Sequence, residues 1–586
     1  MKTRTFAALA AVSLIGVHTA HAQLTRDARP VAIGTATLSG IVVSDETEAR
    51  PVRRARVTCS APELTNGLTA ITDDRGRFTC ARLPPGRYTV SVTRDGWVPA
   101  AYGAKRPLRP GTPVAIAASQ HATIVIRLTR GAVITGTLID ESGQPAIGAS
   151  VVALRAAMQN GERRLVDFGT PAVSDDRGVY RIYGLPAGDY LVRAAPSSAS
   201  IPQDVQATTD LDVHHARTSA AGSPAPPDRR VAFAPTYFPG TPLALQAAPV
   251  SLRPAEERSD VDFALQLVAT ARVEGTLTMP DGSPASASTQ VTLLPSGQAR
   301  LSDSPLDGLK TTRAGGDGTF GFAGVGPGTY TLLARAATPG VVWASTEIAV
   351  DGERVSGLLL TLQPGLTIAG QVRVDGSGAT TPPFDLTALK VAAEPVQSAG
   401  DVSLAPALAA VDRDGRFTVT GVTPGRYRLS AALPAAGRSR GWMLLSSMVN
   451  GVDTLDIPLV VSSGANVMGG LLTLTDRAAQ ITGALQDSTG RTPSEYTIVV
   501  FPADPALWLP RARRIQASRP SADGAFTFAA LPPGEYLVAA LEDVEAGEWF
   551  DPAFLQRVSQ AAIRISLSAG ERKTQEIRVG PGSHHD

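Results

Sequence analysis

The chain is 586 residues long, too long for one hydrophobic core and long enough for five domains of roughly one hundred residues. Its 54 basic and 53 acidic side chains nearly cancel, and removal of Lys2 and Arg4 with the leader described next leaves −1. That balance argues against non-specific nucleic-acid binding and against an anionic membrane surface as partner.

Lys2 and Arg4 precede an apolar run from Phe6 to Val17, and Ala20-His21-Ala22 follows before Gln23. This pattern predicts a secretory signal peptide over 1–22, cleaved after Ala22, and an extracytoplasmic location, periplasmic or secreted. The run is too short to span a bilayer, no cysteine follows the site to carry a lipid, and no later apolar stretch is long enough to cross.

The first domain, 37–130, sets the pattern. Leu38-Ser39-Gly40-Ile41-Val42 opens a strand. Asp74-Arg75-Gly76 is a tight turn, because glycine takes positive φ cheaply. Phe78 and Cys80 then alternate on one face of the next strand. Leu83-Pro84-Pro85-Gly86 makes a second turn and Tyr88 enters the strand after it. Cys59 alternates with Val57, so both cysteines point inward. Two readings stay open: small core side chains, like Ala153, Leu293, Ile182, Phe322 and Phe528 at matching positions, or a disulfide in an exported protein.

The two-turn motif recurs four times, its first glycine always preceding the second by ten residues: Gly178 and Gly188, Gly318 and Gly328, Gly415 and Gly425, Gly524 and Gly534. Tyr190, Tyr330, Tyr427 and Tyr536 follow the second turns, and Gly136, Gly275, Gly370 and Gly483 open the first strands. Five matches at fixed spacing predict tandem domains at 131–270, 271–363, 364–475 and 476–586 after the first, behaving as semi-independent beads. Short strands, Gly and Pro turns and almost no helical periodicity predict an all-β fold, a tandem array of five immunoglobulin-like β-sandwiches. The tyrosine after the turn resembles the tyrosine corner of such sandwiches.

Gly-x-Val/Leu, Asp-x-Gly-x-Phe and Leu-Pro-x-Gly-x-Tyr together resemble the carboxypeptidase regulatory-like domain over nearly the whole mature chain. The resemblance implies a transthyretin-like (prealbumin-like) sandwich with kinship to carbohydrate-binding-like and starch-binding-like folds. The motif consists of turns and core, so it specifies the fold and says little about function.

The second domain carries an insertion, about 196–256, rich in Pro, Ala, Ser and Asp, that reads as a long loop. His214 and His215 sit in it without a third nearby ligand and make a poor metal site, as do the terminal His584 and His585. Tyr237 to Thr241 echoes Tyr102 to Thr112 of the first domain, which suggests a shared structural loop. In the fourth domain Gly437-Arg438-Ser439-Arg440-Gly441 spells Gly-x-Ser-x-Gly, but a nucleophile elbow needs a strand before the serine and a helix after it. Here Pro434-Ala435-Ala436 reads as a loop and Trp442 to Val449 as a strand.

Other chemistry is weakly represented. No histidine has a glutamate three residues later, so a zinc-carboxypeptidase site is missing. Asp73 with Asp74 and Asp412 with Asp414 sit in the repeated turns, and neither pair shows the cleft of a glycosidase or the rest of an EF-hand loop. Isopeptide cross-links would need a lysine in every domain, and the second has none. No catalytic residue, metal or cofactor is assigned.

The tryptophans are the surface candidates. Trp97, Trp343, Trp442 and Trp549 recur nine to fifteen residues after their domain's Gly-x-Tyr, which favours packing at a sheet edge or domain junction. The alternative is a repeated sugar-stacking platform. Trp508 stands outside the pattern and marks the better single ligand loop. The sequence therefore reads as an exported, non-enzymatic binding or spacer module at the cell envelope. Carbohydrate binding is the first alternative and a cryptic hydrolase the second. The partners open to such a chain are a glycan or a cell-envelope protein.

Overall fold

The structure, a computed structural model, describes residues 34–580 except 62–63, 65–66, 160, 197–204, 207–212, 214–216, 218–229, 297–308, 338–339, 377–383, 397–405, 440, 494–495 and 522. The expected leader 1–22, His214, His215, His584 and His585 lie outside the described residues.

The chain is all-β and builds five sandwiches, each with its own buried cluster. In the first, β1 (Ala36–Ser44), β4 (Arg77–Leu83) and β8 (His121–Leu128) form one sheet in the order β4-β1-β8. β2 (Arg56–Ser60), β3 (Leu68–Ile71), β5 (Gly86–Thr93), β6 (Ala100–Ala101) and β7 (Val114–Ile116) form the facing sheet. β4 is antiparallel to β1 and β8 is parallel to it. The other domains repeat this plan: the strand holding Gly136, Gly275, Gly370 or Gly483 always lies between a turn strand and a parallel closing strand.

The opening glycine is fixed by crowding. Gly40 lies opposite Phe78 on one side and Ile124 on the other. A Cβ there would stand 2.3 Å from the Ile124 carbonyl oxygen and 2.8 Å from the Phe78 ring. The aromatic after the first turn thus fills the space that the glycine vacates.

The first turn is held by its aspartate. Asp73 Oδ1 accepts from the N–H groups of Arg75 and Arg77, at 2.9 and 2.7 Å, and Asp175 and Asp412 repeat this. In the third and fifth domains Asp317 and Asp523 take over, from a position nearer the glycine. The N–H groups of Arg77 and Val179 hold Asp73 and Asp175 below the usual carboxylate range, and the hydroxyls of Thr319 and Ser521 do the same for Asp317 and Asp523. The carboxylates of these turns are therefore engaged with their own backbone.

The second turn is a tyrosine corner. The hydroxyls of Tyr88, Tyr190, Tyr330 and Tyr536 donate to the carbonyl four residues earlier, at 2.7, 2.7, 3.0 and 2.6 Å, and Tyr427 bonds the Thr423 hydroxyl at 3.0 Å. All five rings are buried. The intervening glycine has φ of 145° at Gly188 and 156° at Gly425, a region costly for any L-residue with a side chain.

Two expectations need correction. The insertion 196–256 is not one loop. Thr236–Tyr237 and Val250–Leu252 pair with Gly188–Ala195, and Arg230–Ala234 pairs with Gln266–Ala269. Burial of Tyr237, Val250 and Leu252 explains why this segment is ordered as strand. The echo between Tyr237–Thr241 and Tyr102–Thr112 is structural: in each, the threonine N–H closes the loop on the tyrosine carbonyl, at 2.9 and 2.6 Å. Nor are the domains independent beads, because the fifth packs on three others, as shown below.

Cys59 on β2 and Cys80 on β4 are joined across the two sheets, enclosing a loop of 21 residues. Replacing both by alanine should lower the stability of the first domain by about 3 kcal/mol, the chain-entropy value for such a loop. Tyr88→Phe leaves the Pro84 carbonyl buried without its donor and should cost about 1–3 kcal/mol. Gly425→Val should cost a similar amount, roughly 1–3 kcal/mol, through backbone strain. Urea denaturation followed by domain-resolved proteolysis measures all three, and unchanged midpoints would show that turn and bridge are not structural.

Candidate functional site

None of the tryptophans with a buried ring offers a sugar platform. Trp343, Trp442 and Trp508 are 5–7% exposed, while Trp97 and Trp549 are half-buried. Trp97 bridges to Arg130 and Trp343 to Gln363, each just past its domain's closing strand. Trp442 packs edge-on against Phe384 in the fourth core. Trp549 lies against Phe550 beside the second core of the fifth domain.

Trp508, the expected ligand contact, is the clearest difference from the sequence reading. Its indole N–H donates to the Pro502 carbonyl at 2.8 Å and its ring meets Phe501 edge-on. With helix Pro552–Ser559 it covers the outer face of strand Tyr496–Pro502, which is buried at all seven positions. The uninterrupted run Tyr-Thr-Ile-Val-Val-Phe-Pro signals burial on both faces, whereas alternation would leave one face open.

Ser439 ends the five-residue helix Ala435–Ser439 and strand Met443–Val449 follows. The expected loop before the serine is thus helical, and the order helix then strand is the reverse of a nucleophile elbow. Among the described residues no three His, Cys, Asp or Glu side chains gather in a way that could hold a metal.

The structure instead concentrates charge at the junctions of the fifth domain. On its fourth-domain side, Arg513 forks onto Asp456 with Nε and Nη2, at 2.8 and 3.2 Å, reaches Asp453 at 2.8 Å, and donates to the Leu445 carbonyl at 2.7 Å. Arg514 adds a bond to Asp456 at 2.8 Å and one to the Tyr536 hydroxyl at 3.1 Å. Burial raises the Asp456 pKa, but the hydrogen bonds and charges of Arg513 and Arg514 override it and hold the carboxyl below its ordinary value of 3.8. Burial, partly offset by Arg514, pushes the Tyr536 hydroxyl up to about 12.

On its first-domain side, the loop between β6 and β7 presents Lys105, Arg106 and Arg109. Lys105 pairs with Glu542. Asp543 holds Arg106 at 3.1 Å and Arg109 at 3.3 Å, and Arg109 reaches Glu545 and Glu548 at 3.5 and 3.8 Å. Asp543 adopts φ of 54°, uncommon outside glycine. Arg109 Nη1 and Asp543 Oδ1 are buried without hydrogen-bond geometry, so charge alone holds them. Arg519 donates to the Gly111 carbonyl at 2.6 Å, and burial together with Arg87 lowers its pKa. The hairpin tip of the second domain at Gly161 abuts Pro510 and Arg511, and Arg428 of the fourth domain donates to the Pro510 carbonyl at 3.2 Å.

The two junctions should fail differently. The forked Arg513–Asp456 bonds resist salt, whereas the Arg109–Asp543 cluster relies on less directed charge. Asp543→Lys, or high salt, should detach the first domain while leaving the fourth docked. For Asp456 the folded pKa is depressed, so its contribution is complete at neutral pH and is lost as pH falls below about 4. Small-angle scattering and cross-linking between the first and fifth domains check this; an unchanged envelope for Asp543→Lys would contradict it.

Comparison with known proteins adds the family. Residues 37–129 and 133–220 match the profile of the carboxypeptidase regulatory-like domain. Among solved structures the chain is similar to a streptococcal ancillary pilin, with 13% identity, TM-score 0.21, and coverage of 56% of this chain and 99% of that one. It is also similar to GBS52, the minor pilin of Streptococcus agalactiae, with 11% identity, TM-score 0.21, and coverage of 40% and 98%. A third is BcpA, the major pilin subunit of Bacillus cereus, with 10% identity, TM-score 0.14, and coverage of 56% and 99%. At such scores nothing about function follows. No curated protein matches the chain.

Proposed function

The first two domains are carboxypeptidase regulatory-like domains, and on that premise we propose that the protein is an exported, non-catalytic binding platform of the cell envelope. The observation that carries this reading is the docking of the fifth domain on the first, second and fourth. A spacer needs domains strung end to end. Here charge pairs fold the array back on itself, with Arg513 on Asp456 and Arg109 on Asp543. Such a body presents several sandwich edges at once and suits binding better than spanning.

The proposal of export rests on the leader pattern at 1–22 and on the inward-facing pair Cys59 and Cys80, which is at home in an oxidising compartment. Cell fractionation with mass spectrometry tests it. The expected species starts at Gln23, resists thiol alkylation until reduced, and appears outside the cytoplasm. A chain retained in the cytoplasm with its leader intact and both thiols free would refute the reading.

A further inference from the structure

β8 ends its sheet, so one of its edges has no strand beside it. The N–H of Thr37 and of Asp45 donate to the Gln120 and Leu128 carbonyls, so the even-numbered residues of β8 bond β1. The backbone groups of Thr123, Val125 and Arg127 therefore point to the open edge. The part of that edge from Val125 to Thr129 lines a cleft of about 520 Å³ together with Val98, Ala101 and Tyr102, and Thr123 lies just beyond it.

The fourth domain shows what the position accepts. There the strand equivalent to β8 is Val467–Thr475, and Met443–Val449 lies antiparallel against it. The first domain begins the same pairing and abandons it. Trp97 bridges antiparallel to Arg130 and the Val98 N–H donates to the Thr129 carbonyl at 3.0 Å. At Ala100 the chain turns away to pair with β5. One domain thus fills the edge with its own chain and the other leaves it open beside a cavity.

The side chains at the edge are equally unmatched. Val125 is 52% exposed. Arg127 is exposed and makes no ion pair among the described residues. Lys105 and Arg106 also line the cleft but are paired with Glu542 and Asp543, so Arg127 is its one cation without an ion pair among the described residues. Through those pairs the fifth domain steadies that part of the cleft.

We propose that this cleft is a strand-acceptor site, taking an extended acidic peptide of a partner protein antiparallel along β8. Main-chain bonds to Thr123, Val125 and Arg127 would supply affinity. An apolar residue opposite Val125 and a carboxylate opposite Arg127 would supply selectivity. The inference deepens the reading of the chain as a binding platform by naming the partner's chemistry.

The probe is a fluorescent synthetic peptide alternating valine with glutamate, titrated against the full mature chain by anisotropy. Val125→Pro removes an N–H that faces the cleft, where an edge strand tolerates proline. It should weaken binding about ten-fold or more, as expected for losing backbone hydrogen bonds. Arg127→Glu should weaken the glutamate peptide and favour its lysine counterpart. If Val125→Pro does not fold, methylation of the peptide's own amides replaces it: methyl groups on ladder-facing amides should abolish binding and those on alternate amides should spare it. Absence of binding by the wild type, binding by folded Val125→Pro equal to wild type, or equal loss from both methylation patterns would overturn the site. Self-association blocked by Val125→Pro would assign the edge to a second copy and overturn the stated partner. Fractionation and scattering report on export and compactness separately, so failure here leaves that reading standing.

Discussion

One hydrogen bond recurs wherever this chain builds a sandwich: a buried tyrosine hydroxyl reaching back four residues across a glycine-containing turn. The turn must reverse the chain so that the next strand joins the opposite sheet. A glycine supplies the backbone angle, and the tyrosine, its ring packed in the core, ties down a carbonyl, or in the fourth domain the Thr423 hydroxyl, that would otherwise lack this partner. The rest of each domain depends on it. The strand that carries the tyrosine is the one on which the second sheet is assembled, pairing with β2 and β7 in the first domain and with Gln290–Pro295 and Val342–Val350 in the third. In the fifth domain the same hydroxyl also accepts from Arg514, which pairs with Asp456 of the fourth. There the device that closes a domain also helps join two of them.

Domain architecture was legible because its determinants are local. Aspartate caps, positive-φ glycines and period-two aromatics lie within about fifteen residues of one another, and each has a short-range physical cause. Gly40 opposite Phe78 was readable only as a motif, yet the contact behind it is steric exclusion between neighbouring strands. The strands between 230 and 252 were hidden because the segment is rich in Pro and Ala, and pairing with the strand of Tyr190 and with Gln266–Ala269 orders it.

The charged junctions were not legible. Arg109 and Asp543 lie more than four hundred residues apart, and nothing near either distinguishes it from a solvated surface charge. A near-zero net charge hides this arrangement, because it averages over clusters that are strongly basic on the loop of the first domain and acidic after the strand Gly534–Glu542. Trp508 misled for a related reason. An indole in a loop-like stretch looks exposed until a helix such as Pro552–Ser559 is seen to share a core with it.

These facts bear on where a protein of this kind can bind anything at all. The large aromatic side chains are mostly consumed in cores and at domain exits, and the turn carboxylates are held by their own backbone. Among the described residues, main chain at sheet edges remains open to a partner, and natural sheets shield such edges because they invite pairing. The fourth domain shields its edge with Met443–Val449. In the first, the chain covers only the end of the edge and then turns to another strand, leaving a valine and an arginine facing a cleft. A sandwich with an occupied edge in one domain and an open one in another already contains the two states of a strand-binding module, the filled form serving as the template for what the open form would hold.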